Sequence, residues 1–287
     1  MKYAFIAAHD EEFRINLMCR VLSASKSGYY AWQKCPESNR ARANRRLLVR
    51  ISEAHRKSRE TYGSPRVYRQ LRAQGETCGR GRVARLMSTN DIRAKQKRRY
   101  RVTTNSEHKE PMAANLLGRC FDVTGPDRVW VSDITYIPTR EGWMYLSAVM
   151  DLYSRRIVGW AMGVTLRSEL ALDALSMAYQ RRRPGKGVIH HSDRGVQYAS
   201  GEYRKLVKAY GMDASMSGTG NCYDNATMES FFGTLKTELV HHRIYSTREE
   251  AKNDIFEYIE VFYNRQRLHS SLGYTTPVQF EAVRAAA

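Results

Sequence analysis

The sequence predicts a mixed α/β domain preceded by a basic, all-α region, and two observations lead to this fold class. Apolar residues recur at helical spacing in the first part of the chain, whereas β-rich runs separated by short polar connections begin at residue 129. The charge is also uneven, because residues 1–118 hold 26 basic and 10 acidic side chains, against 21 and 19 in residues 119–287. In a chain of 287 residues with a net charge of +18, this layout indicates that one part binds a polyanion and the other carries out chemistry.

The basic front part is predicted to consist of short helices. Residues 1–45 form a helical segment, and a second helix is expected over 45–60. Ser64 as N-cap and Pro65 at the first helical position open another helix, and a last one follows a glycine-containing turn over 80–87. This arrangement resembles a helix-turn-helix, in which the last helix enters the major groove of DNA.

Basic side chains on and after this last helix are the candidate DNA contacts, since they suit phosphate binding through counterion release. They are Arg80, Arg82, Arg85, Arg93, Lys95, Lys97, Arg98 and Arg99. The alternative is that the same segments are solvated charged helices or a linker, because short helices alone are weakly specific.

The back part shows an order of strands and helices that is typical of one fold. Three β-rich runs indicate an antiparallel meander, and helix, strand, helix, strand and helix follow. These elements are expected at residues 129–137, 143–150, 156–162, 168–181, 187–191, 201–210, 212–216 and from 225 onward. The order is that of the ribonuclease-H-like α/β fold. The predicted domains are a helical N-terminal segment (1–45), a helix-turn-helix-like region (46–102), a linker (103–127) and the α/β core with C-terminal helices (128–285).

Three acidic residues of the back part are the candidate catalytic and metal-binding groups. Asp133 lies in the first strand, Asp193 just past the fourth and Glu229 on the helix after the last strand, with 59 and then 35 residues between them. Adjacent strands can bring all three to one edge of the sheet, where carboxylates would hold two Mg²⁺ ions, or Mn²⁺ in their place, for phosphoryl transfer. By pattern alone, each is as well explained as a cap or a salt-bridge partner. Asp151 is a competing candidate that we interpret as structural, paired with Arg155 or Arg156.

Lys236 is a further candidate for DNA contact. It shares a helical face with Asn225 and Glu229, about 10.5 Å beyond Glu229 along the axis, where it could hold a phosphate next to the metals. The alternative is an ordinary surface lysine. His190 and His191 could ligate a metal or shuttle protons, although a histidine at a strand end is more often packed and hydrogen-bonded.

The cysteines and the lengths of the apolar runs argue against a secreted, zinc-binding or membrane-spanning protein. The five cysteines are scattered without a CxxC pair, which indicates a reducing compartment and no zinc site. No apolar run approaches the length of a signal peptide or of a membrane span. We therefore expect a cytoplasmic protein with no membrane partner.

Four stretches resemble a known family. Residues 130–136, 191–198, 221–239 and 263–277 are similar to the integrase core of bacterial insertion-sequence-three family transposases, specifically their OrfB product. The resemblance covers about residues 45–280. It implies a DDE transposase with Asp133, Asp193 and Glu229 as catalytic metal ligands and Lys236 as the basic residue seven positions on.

The resemblance also implies a reaction and partners. The family carries out copy-out, paste-in transposition on double-stranded DNA, at the terminal inverted repeats of the element and at a target. It usually acts together with OrfA or as an OrfA–OrfB fusion, and we expect a homo-oligomer on DNA. Two alternatives stay open: a catalytically idle DNA-binding or regulatory subunit, and a ribonuclease-H-type nuclease that hydrolyses without joining.

Overall fold

The computed structural model describes residues 1–34, 37–96, 113–118, 123–218 and 225–285. Three of the candidate DNA contacts, Lys97, Arg98 and Arg99, lie outside these residues, as does most of the expected linker. The chain forms two compact units. The helical unit consists of Met1–Lys57 and Gly63–Arg93, and the sheet unit consists of Ser58–Tyr62 and Ala94–Ala287.

The described residues of the helical unit form six helices. They are α1 (Lys2–Ala8), α2 (Ile15–Val21), α3 (Lys26–Lys34), α4 (Asn39–Lys57), α5 (Ser64–Ala73) and α6 (Arg80–Thr89). In α4 to α6 the buried positions recur at helical spacing, for example Val67 and Leu71, or Val83 and Met87. The predicted N-cap was wrong by one residue, because Gly63 occupies that position in extended conformation and Ser64 begins the helix. Pro65 lies in the first turn, where its missing N–H has no helical acceptor to lose.

In the sheet unit, the residues that the structure describes form a sheet of five strands. They are β1 (Val129–Thr139), β2 (Gly142–Asp151), β3 (Ile157–Gly163), β4 (Ile189–Ser192) and β5 (Asp213–Met216), in the order β3-β2-β1-β4-β5. The pairs β1–β2 and β2–β3 are antiparallel, as the predicted meander requires, whereas β1–β4 and β4–β5 are parallel. This order confirms the predicted α/β, ribonuclease-H-like fold class.

Helices cover both faces of the sheet. They are α7 (Ser168–Arg182), α8 (Val196–Ala199), α9 (Gly201–Ala209), α10 (Ala226–Glu238), α11 (Arg248–Glu257) and α12 (Pro277–Ala285), with a π-helical turn at Tyr258–Tyr263. Val131 packs with α10 and α11 in one core, and its neighbour Trp130 packs with α7 and α9 in the other. This alternation is the period of two expected of a strand buried on both sides. Gly159 permits the close approach of α7, because a Cβ there would lie 2.3 Å from the carbonyl oxygen of Ala174.

A short segment between α4 and α5 belongs to the sheet unit. Arg59 and Glu60 both have positive φ angles, so the chain turns sharply there. The hydroxyl of Tyr62 then accepts a hydrogen bond from the backbone N–H of Leu268 at 2.7 Å and donates one to the carbonyl oxygen of Gln266 at 3.2 Å. The stretch 263–277, which was singled out in the sequence, therefore anchors the segment 58–62.

No helix among the described residues combines the length and the apolar character that crossing a membrane requires.

Candidate active site

The parallel ladder between β1 and β4 ends one residue before two of the candidate acids. Ser132 and Ser192 form the last register pair, and Asp133 and Asp193 are the next residues on their strands. Beyond this pair β1 continues alongside β2, whereas β4 stops. Because parallel neighbours lie less than about 5 Å apart, the two carboxylates are brought close together at this end of the sheet.

The third acid, Glu229, lies in the first turn of α10, which packs against β1. The charges of Asp193 and Glu229 both act on Asp133. Burial raises the pKa of Asp133 well above its usual range, and these two like charges raise it further. A hydrogen bond from the backbone N–H of Ile134 and the charge of Lys236 oppose the increase. The three acids thus form one electrostatic group, although they are far apart in sequence.

Local hydrogen bonds hold two of the carboxylates in place. Asp133 Oδ1 accepts from the N–H of Ile134 at 2.7 Å, and Asp193 Oδ1 accepts from the N–H of Gly195 at 2.9 Å. A Cβ at Gly195 would lie only 3.0 Å from Asp193 Oδ1, so the absence of a side chain permits this turn. Over the described ranges, no three His, Cys, Asp or Glu side chains are grouped closely enough to hold a metal ion as they stand. Mutual repulsion of uncompensated carboxylates is the physical reason to expect this spacing.

Lys236 is buried rather than exposed. Only 8% of the residue is accessible, and its ammonium group lies 4.6 Å from the centre of the Tyr136 ring. Burial lowers the pKa of Lys236, and the charge of Asp133 opposes that effect. Lys236 is therefore an electrostatic partner of the acidic group, which the sequence interpretation as a phosphate contact did not anticipate.

Below the acids lies a buried layer of hydrogen-bonded polar side chains. His190 Nε2 contacts the hydroxyls of Ser132 at 3.0 Å and Tyr203 at 3.1 Å. His191 contacts Ser215 through Nδ1 at 2.9 Å and Ser217 through Nε2 at 3.2 Å. Burial lowers the pKa of His190 to about 4, with a smaller contribution from His191. Both histidines thus occupy the packed, hydrogen-bonded role that was the alternative to metal binding.

Tyr198 also lies under the site. It is 2% exposed, and its ring packs edge-on against Tyr203 with 5.2 Å between the ring centres. Burial raises the pKa of its hydroxyl, and the charges of Tyr203, Asp133 and Asp193 add to the increase. The sequence did not indicate that Tyr198 is buried next to Asp133 and Asp193, because a tyrosine five residues after an aspartate has no distinctive spacing.

Asp151, the competing acidic candidate, is fully buried at the end of β2, where it lies opposite Trp130 on β1. Its carboxylate accepts hydrogen bonds from the backbone N–H groups of Asp127 and Tyr153, each at 2.8 Å, and contacts Arg182 at 3.5 Å. The expected pairing with Arg155 or Arg156 was wrong, since Arg156 pairs with Glu281 at 2.7 Å. Burial raises the pKa of Asp151 to about 6.

The described candidate DNA contacts differ in their surroundings. Arg80 and Arg85 on α6 are exposed, whereas Arg82 is half-buried and donates to Asn44 Oδ1 at 2.8 Å. Arg93 is exposed and pairs with Asp91 at 2.9 Å. In the sheet unit, Lys95 donates its ammonium to the carbonyl oxygen of Glu238 at 3.3 Å. Arg80, Arg85 and Arg93 are thus the exposed members of the described group.

Comparison with protein families identifies both parts of the chain. Residues 42–100 match an HTH-like domain, and residues 123–222 and 229–284 match two profiles of the integrase core domain. Among solved structures, the HTLV-2 integrase catalytic core domain in complex with magnesium aligns with 55% of this chain and 97% of its own length, at 16% identity and a TM-score of 0.43. The fold assignment rests on the sheet order and the family profiles.

Curated relatives match nearly the whole chain. The Insertion element IS600 uncharacterized 31 kDa protein of Shigella sonnei is 49% identical over 263 residues, which is 92% of this chain and 97% of the relative. Transposase InsF for insertion sequence IS3A of Escherichia coli (strain K12) is 42% identical over 283 residues, or 98% of both chains. The chain therefore belongs to the insertion-sequence-three (IS3) family of transposases, which are DDE polynucleotidyl transferases with an integrase core.

Proposed function

We propose that this transposase cleaves and joins DNA strands at an active site made of Asp133, Asp193 and Glu229. The observation that carries the proposal is the convergence of β1, β4 and α10, which places Asp133 and Asp193 at neighbouring strand ends and Glu229 in the first turn of the helix packed against β1. Carboxylates that lie near one another in a folded protein repel each other when they are ionised, unless a cation compensates them. Proteins keep such destabilising repulsion between carboxylates at sites where a bound metal ion is part of the function.

The donor set suits a hard divalent cation. All three groups offer carboxylate oxygens, which bind Mg²⁺ or Mn²⁺ in preference to softer metals. Among the described residues, the histidines beside Asp193 are already bonded to serine and tyrosine hydroxyls and so do not compete as ligands. We propose two Mg²⁺ ions per site, with Mn²⁺ able to substitute, and Asp133, Asp193 and Glu229 would hold them. When bound, such ions activate the attacking oxygen and stabilise the leaving 3′ oxygen of an in-line displacement at phosphorus.

The protein's own groups orient this reaction. The hydrogen bonds from Ile134 and Gly195 fix the Asp133 and Asp193 side chains, so that little reorganisation is needed at the moment of reaction. Lys236 places a positive charge near Asp133, which opposes the increase in the pKa of that carboxyl group. In the joining step, a 3′-hydroxyl oxygen forms a bond to phosphorus, and the bond from phosphorus to the former 3′ oxygen breaks.

The proposed substrate is double-stranded DNA at the terminal inverted repeats of the element and at a target. The net charge of +18 and the exposed arginines of α6 support binding to a polyanion. We further propose the copy-out, paste-in route, with OrfA or an OrfA segment as a partner and a homo-oligomer assembled on DNA. In this scheme residues 46–102 bind DNA and residues 128–285 carry out the chemistry.

A strand-transfer assay tests the proposal. Labelled DNA carrying the element ends is incubated with the full chain, with or without OrfA, in Mg²⁺ or in EDTA. Joined products should appear only with the metal and should disappear in Asp133→Asn, Asp193→Asn and Glu229→Gln. Asp173→Asn, which changes an exposed aspartate of α7, is the matched control and should join normally.

Three outcomes would overturn the proposal. If an acid-to-amide variant still joins strands, that residue is not in the site. If strands are cut but never joined, the protein is a nuclease. If DNA is bound but not cleaved in the presence of Mg²⁺, or of Mn²⁺ in its place, the chain is an idle regulatory subunit.

A further inference from the structure

The side chain of Asn225 does not play the usual part of an asparagine at the start of a helix. Asn225 is the N-cap of α10, yet it makes no side-chain bond to the N–H groups of its own helix. An N-cap asparagine normally accepts such a bond, which stabilises the start of the helix. Here its amide Nδ2 instead donates to the carbonyl oxygen of Ser132 at 3.2 Å. The residue is 5% exposed, so this bond is shielded from water.

The acceptor of this bond is part of the peptide group that carries Asp133. Ser132 is itself fixed from the other side, because its hydroxyl contacts His190 Nε2 at 3.0 Å and His190 in turn contacts Tyr203. Ser132 is 1% exposed and forms the last register pair of the parallel ladder. Asn225 is thus tied to a rigid point of β1 directly adjacent to a proposed catalytic acid.

Within the described part of the chain, the oxygen of this amide has no hydrogen-bond partner. Asn225 Oδ1 is buried and accepts no hydrogen bond from the described residues. An unsatisfied buried acceptor is destabilising, as is the loss of the cap. Asn225 thus lacks the usual N-cap bond and has a buried acceptor without a donor, and both features lower stability. Such features beside a proposed catalytic group are expected where function constrains the residue.

The contact between Asn225 and Ser132 lies at the start of α10. The body of the helix is held by Met228, Phe231 and Leu235, which are all buried in the core against β1. Glu229 follows Asn225 by one turn and is exposed. The bond from Asn225 to Ser132 therefore joins the turn that bears Glu229 to the strand that bears Asp133.

We propose that Asn225 is a positioning residue for the active site, which fixes Glu229 relative to Asp133 through the carbonyl of Ser132. The inference rests on the proposed function of the three acids. Residues that orient metal ligands without touching the metal typically alter metal affinity or activity by about 10- to 100-fold when they are replaced. The affected quantity should be the affinity for the cation rather than the stability of the fold.

The test compares Asn225→Ala and Asn225→Leu with the wild-type chain and with Asn264→Ala. Asn264 is the matched control, because it is also buried and also bonds a strand backbone, donating to Ile157 O at 2.9 Å and accepting from Ile157 N at 3.0 Å. Mg²⁺ is titrated into each protein by calorimetry, without DNA, and thermal unfolding is recorded in EDTA. Both Asn225 variants should need about 10- to 100-fold more Mg²⁺ for half-saturation, regardless of side-chain volume. Asn264→Ala should unfold at a lower temperature with unchanged Mg²⁺ affinity.

The outcomes separate this inference from the proposed function. If the Asn225 variants bind Mg²⁺ as the wild type does, and differ only in unfolding temperature, Asn225 is merely structural and the inference is overturned. If the wild-type chain itself binds no Mg²⁺ and joins no DNA, the proposed function fails and the role of Asn225 fails with it.

Discussion

Lys236 and Tyr136 form a cation–π contact in which the ammonium group lies 4.6 Å from the centre of the ring. The contact is mostly shielded from solvent, because Lys236 is only 8% exposed. It holds a positive charge beside Asp133, whose pKa the lysine lowers. Lys236 thereby offsets part of the repulsion among the three acids.

Replacement of Lys236 should weaken catalysis through Asp133. In Lys236→Gln the pKa of Asp133 should rise further, so the pH–rate profile of strand joining should shift toward higher pH. The rate at neutral pH should fall by about 100-fold, as expected for loss of a placed charge. Lys236→Arg keeps the charge and the cation–π contact, and it should retain most of the activity. A pH–rate profile of Lys236→Gln that coincides with the wild-type profile would contradict this role.

His190 should make the fold sensitive to acid. Its pKa is lowered to about 4, so the unfolded state binds the proton more readily. The stability that comes from a neutral His190 is present above a pH of about 6.5 and is lost as the pH falls toward 4, by about 3 kcal/mol in total. Asp151 acts in the opposite direction, because burial raises its pKa to about 6.

A difference measurement isolates the histidine. His190→Gln should have a lower free energy of unfolding than the wild type at pH 8. The difference between the two proteins should be smaller at pH 4, by about 3 kcal/mol. Urea unfolding across this pH range measures the change, and His242→Gln, at an exposed position, is the matched control. A disadvantage that stays constant with pH would refute the assignment.

Glu238 and Arg267 form an ion pair that anchors the C-terminal part of the sheet unit. Arg267 donates two hydrogen bonds to Glu238 Oε1 and Oε2 through Nε and one more of 2.7 Å through its terminal nitrogen, and both residues are 7% exposed or less. Tyr258 adds a hydrogen bond to Glu238 at 2.8 Å. Arg267→Met would leave the carboxylate buried without a counter-charge, so the free energy of unfolding should fall by about 3–5 kcal/mol.

The surface pair Arg243–Asp254 is the control for that prediction. Its atoms are 3.2 Å apart, but the arginine side chain is 56% exposed. Arg243→Met should therefore cost less than about 1 kcal/mol in urea unfolding. If Arg267→Met and Arg243→Met lower the free energy of unfolding by similar amounts, the Glu238–Arg267 pair is not shielded from water in solution.

Arg85 should contribute to DNA binding as a simple phosphate contact. Arg85→Ala should weaken binding to all duplex sequences about equally and should reduce the slope of log K against log salt by about 1. Lys252→Ala removes one exposed charge from α11 and should leave the slope unchanged. Fluorescence anisotropy over a salt series measures both. An unchanged slope for Arg85→Ala would remove Arg85 from the DNA-binding surface.

The sequence was sufficient for the fold because the periodicity is strong. The three runs of the meander and the buried strand before Asp193 were expected within about two residues of β1 to β4, since alternation and β-branched residues reflect burial directly. Helix α4 begins at Asn39, earlier than expected, because its first turns are polar and show no apolar period.

The site was only partly predictable because spacing does not reveal orientation. The helical face shared by Asn225, Glu229 and Lys236 could be read from the sequence, but its partner could not. In the structure Asn225 and Lys236 contact β1 and are buried, through Ser132 and Tyr136 respectively. Glu229, between them on the helix, is exposed. Likewise, the bond of Lys95 to the carbonyl of Glu238 joins residues 143 positions apart, and no local pattern signals such a contact.

Neutralisation of Asp133 should stabilise the metal-free protein. A raised pKa means that protonation of Asp133 contributes stability, which is fully present below its unfolded pKa and is lost as the pH rises through the folded value. Asp133→Asn avoids that loss and removes the repulsion from Asp193 and Glu229. In EDTA at neutral pH it should melt above the wild type, by about 2–4 °C for each kcal/mol gained. A lower melting temperature would contradict the raised pKa.

The central claim is that Asp133, Asp193 and Glu229 bind divalent cations together, and a calorimetric Mg²⁺ titration tests it most directly. The wild-type chain should bind Mg²⁺, whereas Asp133→Asn, Asp193→Asn and Glu229→Gln should each bind it at least about 10-fold more weakly. The exposed Asp173→Asn control should bind as the wild type does. Mg²⁺ affinities that are equal in all five proteins would contradict the account.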